Sequence, residues 1–236
     1  MSLKKLGLVA LMVTALFAVF AGNSLGATKL TTKKAVWSNS GVAFGSTEGT
    51  GKEPKCSAAS NLVLKGTIIG SEAELTATTV SCAGRLWNEG TGESTMAVGK
   101  GTLSFGGITV NKPSGCKLNG QTNGSATLTT ESLTIDVQMH DVGEVETPIP
   151  VVVFKPVGEK FATIKLTGCA AEGSYKVTGS SVGEASNNTG VSAVNQPLTF
   201  NTTTNEAGSL TLAGNPATIT GQANNELVGG AAFQVN

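Results

Sequence analysis

Apolar and polar residues alternate with a period of two along much of this chain, and the helical period is nearly absent. The clearest case covers residues 132–140. Leu133, Ile135, Val137 and Met139 fall on one face, and Ser132, Thr134, Asp136, Gln138 and His140 on the other. Successive side chains of a strand point to opposite faces, so this pattern predicts a half-buried strand. Ala162, Ile164 and Leu166 alternate with Thr163, Lys165 and Thr167 in the same way, as do Ala73, Leu75 and Ala77 with Glu74, Thr76 and Thr78. Further strands are expected within residues 62–69, 96–105, 175–182, 210–213 and 227–235. Residues 149–154 are almost continuously apolar, which predicts a strand covered on both faces.

Turn signals separate these runs at short intervals: Asn88-Glu89-Gly90, Pro113-Ser114-Gly115, Asn119-Gly120, Asn123-Gly124 and Asn187-Asn188-Thr189-Gly190. Many short strands joined by Gly- and Asn-rich turns predict an all-β fold, an antiparallel β-sandwich or a barrel-like sheet. Beyond the N-terminal segment no capped, amphipathic helical stretch is present, which argues against a βαβ architecture.

The first 27 residues depart from this pattern. Lys4 and Lys5 precede an apolar run over residues 6–21, and the small-residue stretch Gly22-Asn23-Ser24-Leu25-Gly26-Ala27 follows. A charged start, an apolar middle and a small-residue cleavage region make a secretory signal peptide. Its removal leaves 209 of the 236 residues, enough to bury a sizeable core. Residues 28–55 are expected to form a leader arm, mildly basic through Lys29, Lys33, Lys34, Lys52 and Lys55. Residues 56–236 are expected to form a single β-rich domain. Glu146-Thr147-Pro148-Ile149-Pro150 offers a division near residue 147, but prolines also begin edge strands. The expected location is secreted or cell-surface, with no membrane anchor in the mature chain.

Export changes how the cysteines are read. Cys56, Cys82, Cys116 and Cys169 are even in number in a chain bound for an oxidising exterior, which favours two disulfides. Four cysteines allow three pairings, and the sequence does not separate them; pairing of sequence neighbours, Cys56 with Cys82 and Cys116 with Cys169, is the expectation. Zinc sites use closer cysteine spacings than any found here. Gly115-Cys116 and Gly168-Cys169 echo one another at strand edges.

Charge adds exclusions. Charged residues are 14% of the chain, against roughly 25% in ordinary soluble domains. Arg85 is the single arginine, and no basic stripe exists, so nucleic acid is not an expected partner. Loss of Lys4 and Lys5 with the leader takes the net charge from zero to about −2.

Catalytic constellations are sparse. Gly179-Ser180-Ser181-Val182-Gly183 fits the G-x-S-x-G pattern, but no helix pattern and no histidine follow it. Gly49-Thr50-Gly51-Lys52 is followed by Glu53 where a phosphate loop needs Ser or Thr. The only dense set of ligand-type side chains is Asp136, His140, Asp141, Glu144 and Glu146, read as a polar strand face running into a solvated turn before a metal site. No catalytic residue, metal ligand or cofactor is assigned. Trp87, between Arg85 and Asn88 and near Cys82, is the tentative binding residue, with a core or rim position as its plainer reading. Asn123-Gly124-Ser125, Asn187-Asn188-Thr189 and Asn201-Thr202-Thr203 match the N-glycosylation pattern.

Phe161-Ala162-Thr163-Ile164-Lys165-Leu166-Thr167-Gly168-Cys169, with Asn111-Lys112-Pro113-Ser114-Gly115-Cys116 upstream, resembles a loosely defined group of uncharacterised, secreted, β-rich proteins of high-GC Gram-positive bacteria. The resemblance covers roughly residues 60–182. It implies an exported β protein with Gly-Cys strand ends, and it carries over no activity. The expectation for function is a non-enzymatic structural or adhesive module of the cell surface or matrix, partnered by wall or matrix components or by itself. A module for a small molecule or glycan is the alternative, and a secreted hydrolase working through paired carboxylates is a third reading.

Overall fold

The computed structural model describes residues 29–31, 35–39, 41–141, 149–185 and 192–235. The signal-peptide reading of residues 1–27 and the turn at residues 187–190 lie outside the described residues. The strands in chain order are β1 (Lys29–Thr31), β2 (Trp37–Asn39), β3 (Val42–Ala43), β4 (Pro54–Ala58), β5 (Leu62–Ile68), β6 (Ser71–Ala77) and β7 (Thr79–Glu89). There follow β8 (Met96–Lys112), β9 (Lys117–Leu118), β10 (Ala126–Thr129), β11 (Leu133–Asp141), β12 (Ile149–Pro156), β13 (Ala162–Thr167) and β14 (Gly173–Thr178). The last are β15 (Ser181–Ala185), β16 (Gln196–Phe200), β17 (Thr211–Leu212), β18 (Asn215–Pro216), β19 (Thr218–Leu227) and β20 (Gln234–Val235). A short helix, α1 (Thr202–Ala207), starts where the Asn201 side chain accepts the Thr204 N–H. The fold is all-β, and its ladders are antiparallel.

β8 organises the molecule. One edge pairs with β7 and then β6, and the other with β11 and then β10. Ladders continue from β11 through β12, β15 and β16 to β19. β19 then pairs with β4 along its C-terminal half and with β5 along its start. The order β7–β8–β11–β12–β15–β16–β19–β4 therefore wraps around, and its two end strands meet. Cys56 of β4 is bonded to Cys82 of β7. Just beyond β4, Lys52 and Leu86 exchange backbone hydrogen bonds of 2.8 Å. The wrap is closed by one disulfide and one isolated bridge rather than by a continuous ladder.

β1 pairs with β11, β20–β2–β3 form a three-stranded sheet of their own, and the strands still to be placed build a second layer pair with part of the long sheet. β5, β6, the C-terminal part of β8 and β10 form one sheet, and β18–β17–β14–β13–β9 form the other. Leu64, Leu75, Ile108 and Leu128 of the first line a common apolar void with Ala162 and Val177 of the second. Leu118, Ile164, Leu166 and Leu212 are wholly buried here, each stabilising by about 1.5–3 kcal/mol relative to exposure. Cys116 and Cys169 are bonded beside the β9–β13 ladder. The residues before them, Gly115 (φ +79°) and Gly168 (φ +74°), are both left-handed, a conformation that costs glycine little. The two Gly-Cys echoes of the sequence are thus joined to each other.

Most predicted strands are found. β11 buries Leu133 and Val137, β13 buries Ala162, Ile164 and Leu166, and β6 buries Ala73, Leu75 and Ala77. β12 is covered on both faces as expected. Val152 and Phe154 enter the main core, while Val151 and Val153 form a second cluster with Val182 against Ala207 of α1.

Two turn and strand expectations need correction, and two further features bear on the organisation of the chain. Within the segment expected to form a leader arm, Ala35, Trp37 and Phe44 are buried in the core. The rings of Trp37, Phe44 and Phe233 lie 6.0–6.4 Å apart and fill one end of the wrap. Across residue 147, β11 and β12 form one ladder, from Leu133↔Pro156 to His140↔Ile149. Asn88 and Glu89 are strand residues, and the turn begins only at Gly90. Of residues 227–235, only Leu227 and the two residues of β20 are in named strands.

Candidate functional site

Residues paired across antiparallel strands share a face, so the registers read out the outer surface of the wrap. Trp87 is opposite Val98, Val98 opposite Asp136, Asp136 opposite Val153, and Val153 opposite Val182. These five form one row, because Leu86 and Ile135 next to them face the core. The neighbouring row on the same face holds Arg85, Lys100, Thr134 and Lys155. The chain positions Trp87 and Asp136 together although 49 residues separate them in sequence.

Trp87 and Asp136 are half-buried, and Arg85, Lys100 and Lys155 are exposed. Asp136 sits between Val98 and Val153 in the ladder, and its carboxylate makes no hydrogen bond or ion pair among the described residues. Burial pushes its carboxyl above the ordinary aspartate value; Lys155 opposes that rise and Glu89 adds to it. A groove of about 390 Å³ opens beside it, lined by Asp136, Gln138, Val153, Lys155, Glu159 and the Ser180–Ser209 seam among others.

The seam is fixed by backbone and hydroxyl bonds together. The Ser209 N–H donates to the Ser180 carbonyl at 3.0 Å, the Ser180 N–H donates to Ser209 Oγ at 3.1 Å, and the two hydroxyls lie 3.1 Å apart. A Cβ at position 179 would collide with the Ser209 carbonyl oxygen, so Gly179 permits the close approach. Ser181, the middle of the G-x-S-x-G string, is 5% exposed and points away from the groove into the core. Asp136 and Glu159 both line the groove, but the acidic neighbour that raises Asp136 is Glu89.

Other candidate residues are distributed differently. His140 and Asp141 belong to β11 beyond the described side chains, and Glu144 and Glu146 lie outside the described residues, as does the Asn187 sequon. No group of three or more His, Cys, Asp or Glu able to hold a metal occurs among the described residues. Asn123 is engaged in a turn: its Oδ1 accepts the Val110 N–H at 3.1 Å and its Nδ2 donates to the Cys116 carbonyl at 3.5 Å. Asn201 caps α1. Both asparagines spend their amides on local structure. The core voids measure about 50 and 30 Å³, room for a water and not for an organic ligand.

Sequence reasoning missed Lys155, Ser180 and Ser209. They come from three separate segments, and only the β11–β12–β15 register and the seam bring them to one groove. Compared with known proteins, the chain matches no family model, no curated protein and no solved structure.

Proposed function

We propose that this chain is an exported, non-enzymatic structural or adhesive β module that works at the cell surface or in the extracellular matrix. The observation that carries this reading is the pairing of a covalently closed frame with a mixed outer face. Cys56–Cys82 joins two strands that no ladder connects, Cys116–Cys169 locks the end of the β9–β13 ladder, and disulfides persist in oxidising compartments. The outer rows then present Trp87 and Arg85, residue types enriched at interfaces, beside the charged Lys100, Asp136 and Lys155. No helix of the described residues is long and apolar enough to cross a membrane, so attachment in this reading is to wall or matrix material or to a second copy.

Expression with the leader intact, followed by fractionation into medium, wall and cytoplasm, tests export; sedimentation of the purified chain with wall or matrix material tests attachment. An unprocessed cytoplasmic chain, or one that associates with neither wall, matrix nor itself, overturns the proposal. A second reading, a module for a small molecule or glycan, is favoured by the groove beside Asp136.

A further inference from the structure

We propose that the groove beside Asp136 is a binding site for a neutral saccharide, with Trp87 as the adjoining stacking surface. This rests on the reading of the chain as a surface module and names the chemistry of one attachment point.

A sugar ring offers hydroxyls around its edge and C–H groups on its faces, and the groove offers partners for both. Val153 forms an apolar part of the lining. The Asp136 carboxylate makes no hydrogen bond among the described residues and can accept from two hydroxyls at once. Such bonds to an ionised acceptor are stronger than neutral ones. Across the groove, the Ser180 and Ser209 hydroxyls are already held in place by the seam. A ligand therefore meets oriented groups instead of having to order them.

Charge selects the class of ligand. Asp136 and Glu159 are balanced in part by Lys155 within the groove, and by Arg85 and Lys100 on the next row. An anion meets two carboxylates, a cation meets three basic groups, and a neutral polyol uses donors and acceptors alike. The volume of about 390 Å³ lies in the range of small-ligand sites, about 300–1,000 Å³. Trp87 stands two strands from Asp136 in the same row, about 10 Å across the sheet at the usual strand spacing. A chain of several sugar units that fills the groove can extend over Val98 to the indole face, where apolar area and ring geometry favour stacking.

The test uses the purified, isotopically labelled chain titrated separately with cellotetraose, chitotetraose and maltotetraose, with inorganic phosphate and spermidine as charged controls. The expected result is saturable movement of the Gln138, Lys155 and Ser180 amide signals with at least one tetrasaccharide and with neither control. Asp136→Ala should weaken that binding by about tenfold, the loss expected for a bond to a charged group, and Trp87→Ala by about three- to tenfold through lost stacking. Asp136→Asn, which keeps the shape of the side chain, replaces the alanine variant if the latter fails to fold. Movement with phosphate or spermidine alone, silence with all three tetrasaccharides, or binding indifferent to Asp136 overturns the groove proposal. Wall or matrix sedimentation is measured on the same samples. Attachment that persists without saccharide binding overturns the groove and leaves the surface module standing; wild-type protein that binds a tetrasaccharide without attaching overturns the surface module alone.

Discussion

The side-chain amide of Asn88 pairs with the backbone of Trp37 as a neighbouring strand would. The Trp37 N–H donates to Asn88 Oδ1 at 2.8 Å, and Asn88 Nδ2 donates to the Trp37 carbonyl at 2.9 Å. The same Nδ2 donates to the Phe44 carbonyl at 3.3 Å. Both residues are 2% exposed, so no solvent replaces these bonds. One asparagine thereby holds two segments of the aromatic end of the wrap against β7.

Asn88→Ala is expected to destabilise strongly, since each buried group left unbonded costs about 1–3 kcal/mol. Asn225 makes the contrast: it is 8% exposed, and its Oδ1 has no partner. Asn225→Leu is expected to leave stability unchanged or raise it. Chemical denaturation of the two variants checks the pair. Equal losses from both would show that Asn225 is bonded to an ordered water in the adjacent void of about 30 Å³.

Breaking Cys56–Cys82 by double substitution to Ser opens the wrap where no continuous ladder closes it. On the chain-entropy account, a 26-residue separation corresponds to about 3.5 kcal/mol, and the 53-residue separation of Cys116–Cys169 to about 4 kcal/mol. Local exchange should differ more than global stability does. Loss of Cys56–Cys82 should speed amide exchange at Leu86 and Lys52, and loss of Cys116–Cys169 should leave both protected. Unaltered protection at Leu86 in the first variant would contradict the closure described above.

Gly99 lies between Leu86 and Ile135 in the core-facing row of the wrap. A Cβ there would stand 2.7 Å from Leu86 Cδ2, 2.9 Å from the Arg85 carbonyl oxygen and 3.2 Å from Ile135 Cβ. Gly99→Ala is expected to cost about 1–3 kcal/mol, as overpacking does. Combining it with Leu86→Ala should recover part of the loss, and thermal unfolding of the single and double variants measures it. Strictly additive losses would refute the contact.

Asp136 predicts a pH dependence. Its folded-state pKa lies above the unfolded value because burial disfavours the charge. The folded protein then holds the proton more tightly than the unfolded chain. Stability from this group is complete below the unfolded pKa and falls as pH rises through the interval up to the raised value. Asp136→Asn should therefore stabilise at neutral pH, with the gain vanishing below the ordinary aspartate range. A gain of the same size at both pH values would show that the carboxyl is not the cause.

Much of this was legible from side-chain period. β11, β13 and β6 announce themselves because their inward positions are Leu, Ile, Val or Ala and their outward ones are polar. The run at residues 149–154 correctly foretold a strand with two covered faces, although α1, which covers one of them, is too short to leave a helical period. β19 was hidden. Its inward set is Ile219, Gly221, Ala223, Asn225 and Leu227, and glycine and asparagine there read as turn residues. The burial of Trp37 was also illegible, because it depends on the distant residues Phe233 and Asn88. The candidate groove could not be read at all: Asp136, Lys155 and Ser209 become neighbours only through ladder register and the serine seam.

The closure by bond rather than by ladder has a mechanical meaning for the proposed surface module. Under tension, strands held only by hydrogen bonds can peel apart, but the chain between bonded cysteines cannot pay out. The two bonds remove 26 and 53 residues from the extensible length, roughly 90 and 180 Å at about 3.4 Å per residue. In the proposed role at a surface, the length that tension can draw out of the chain is shorter by those two segments.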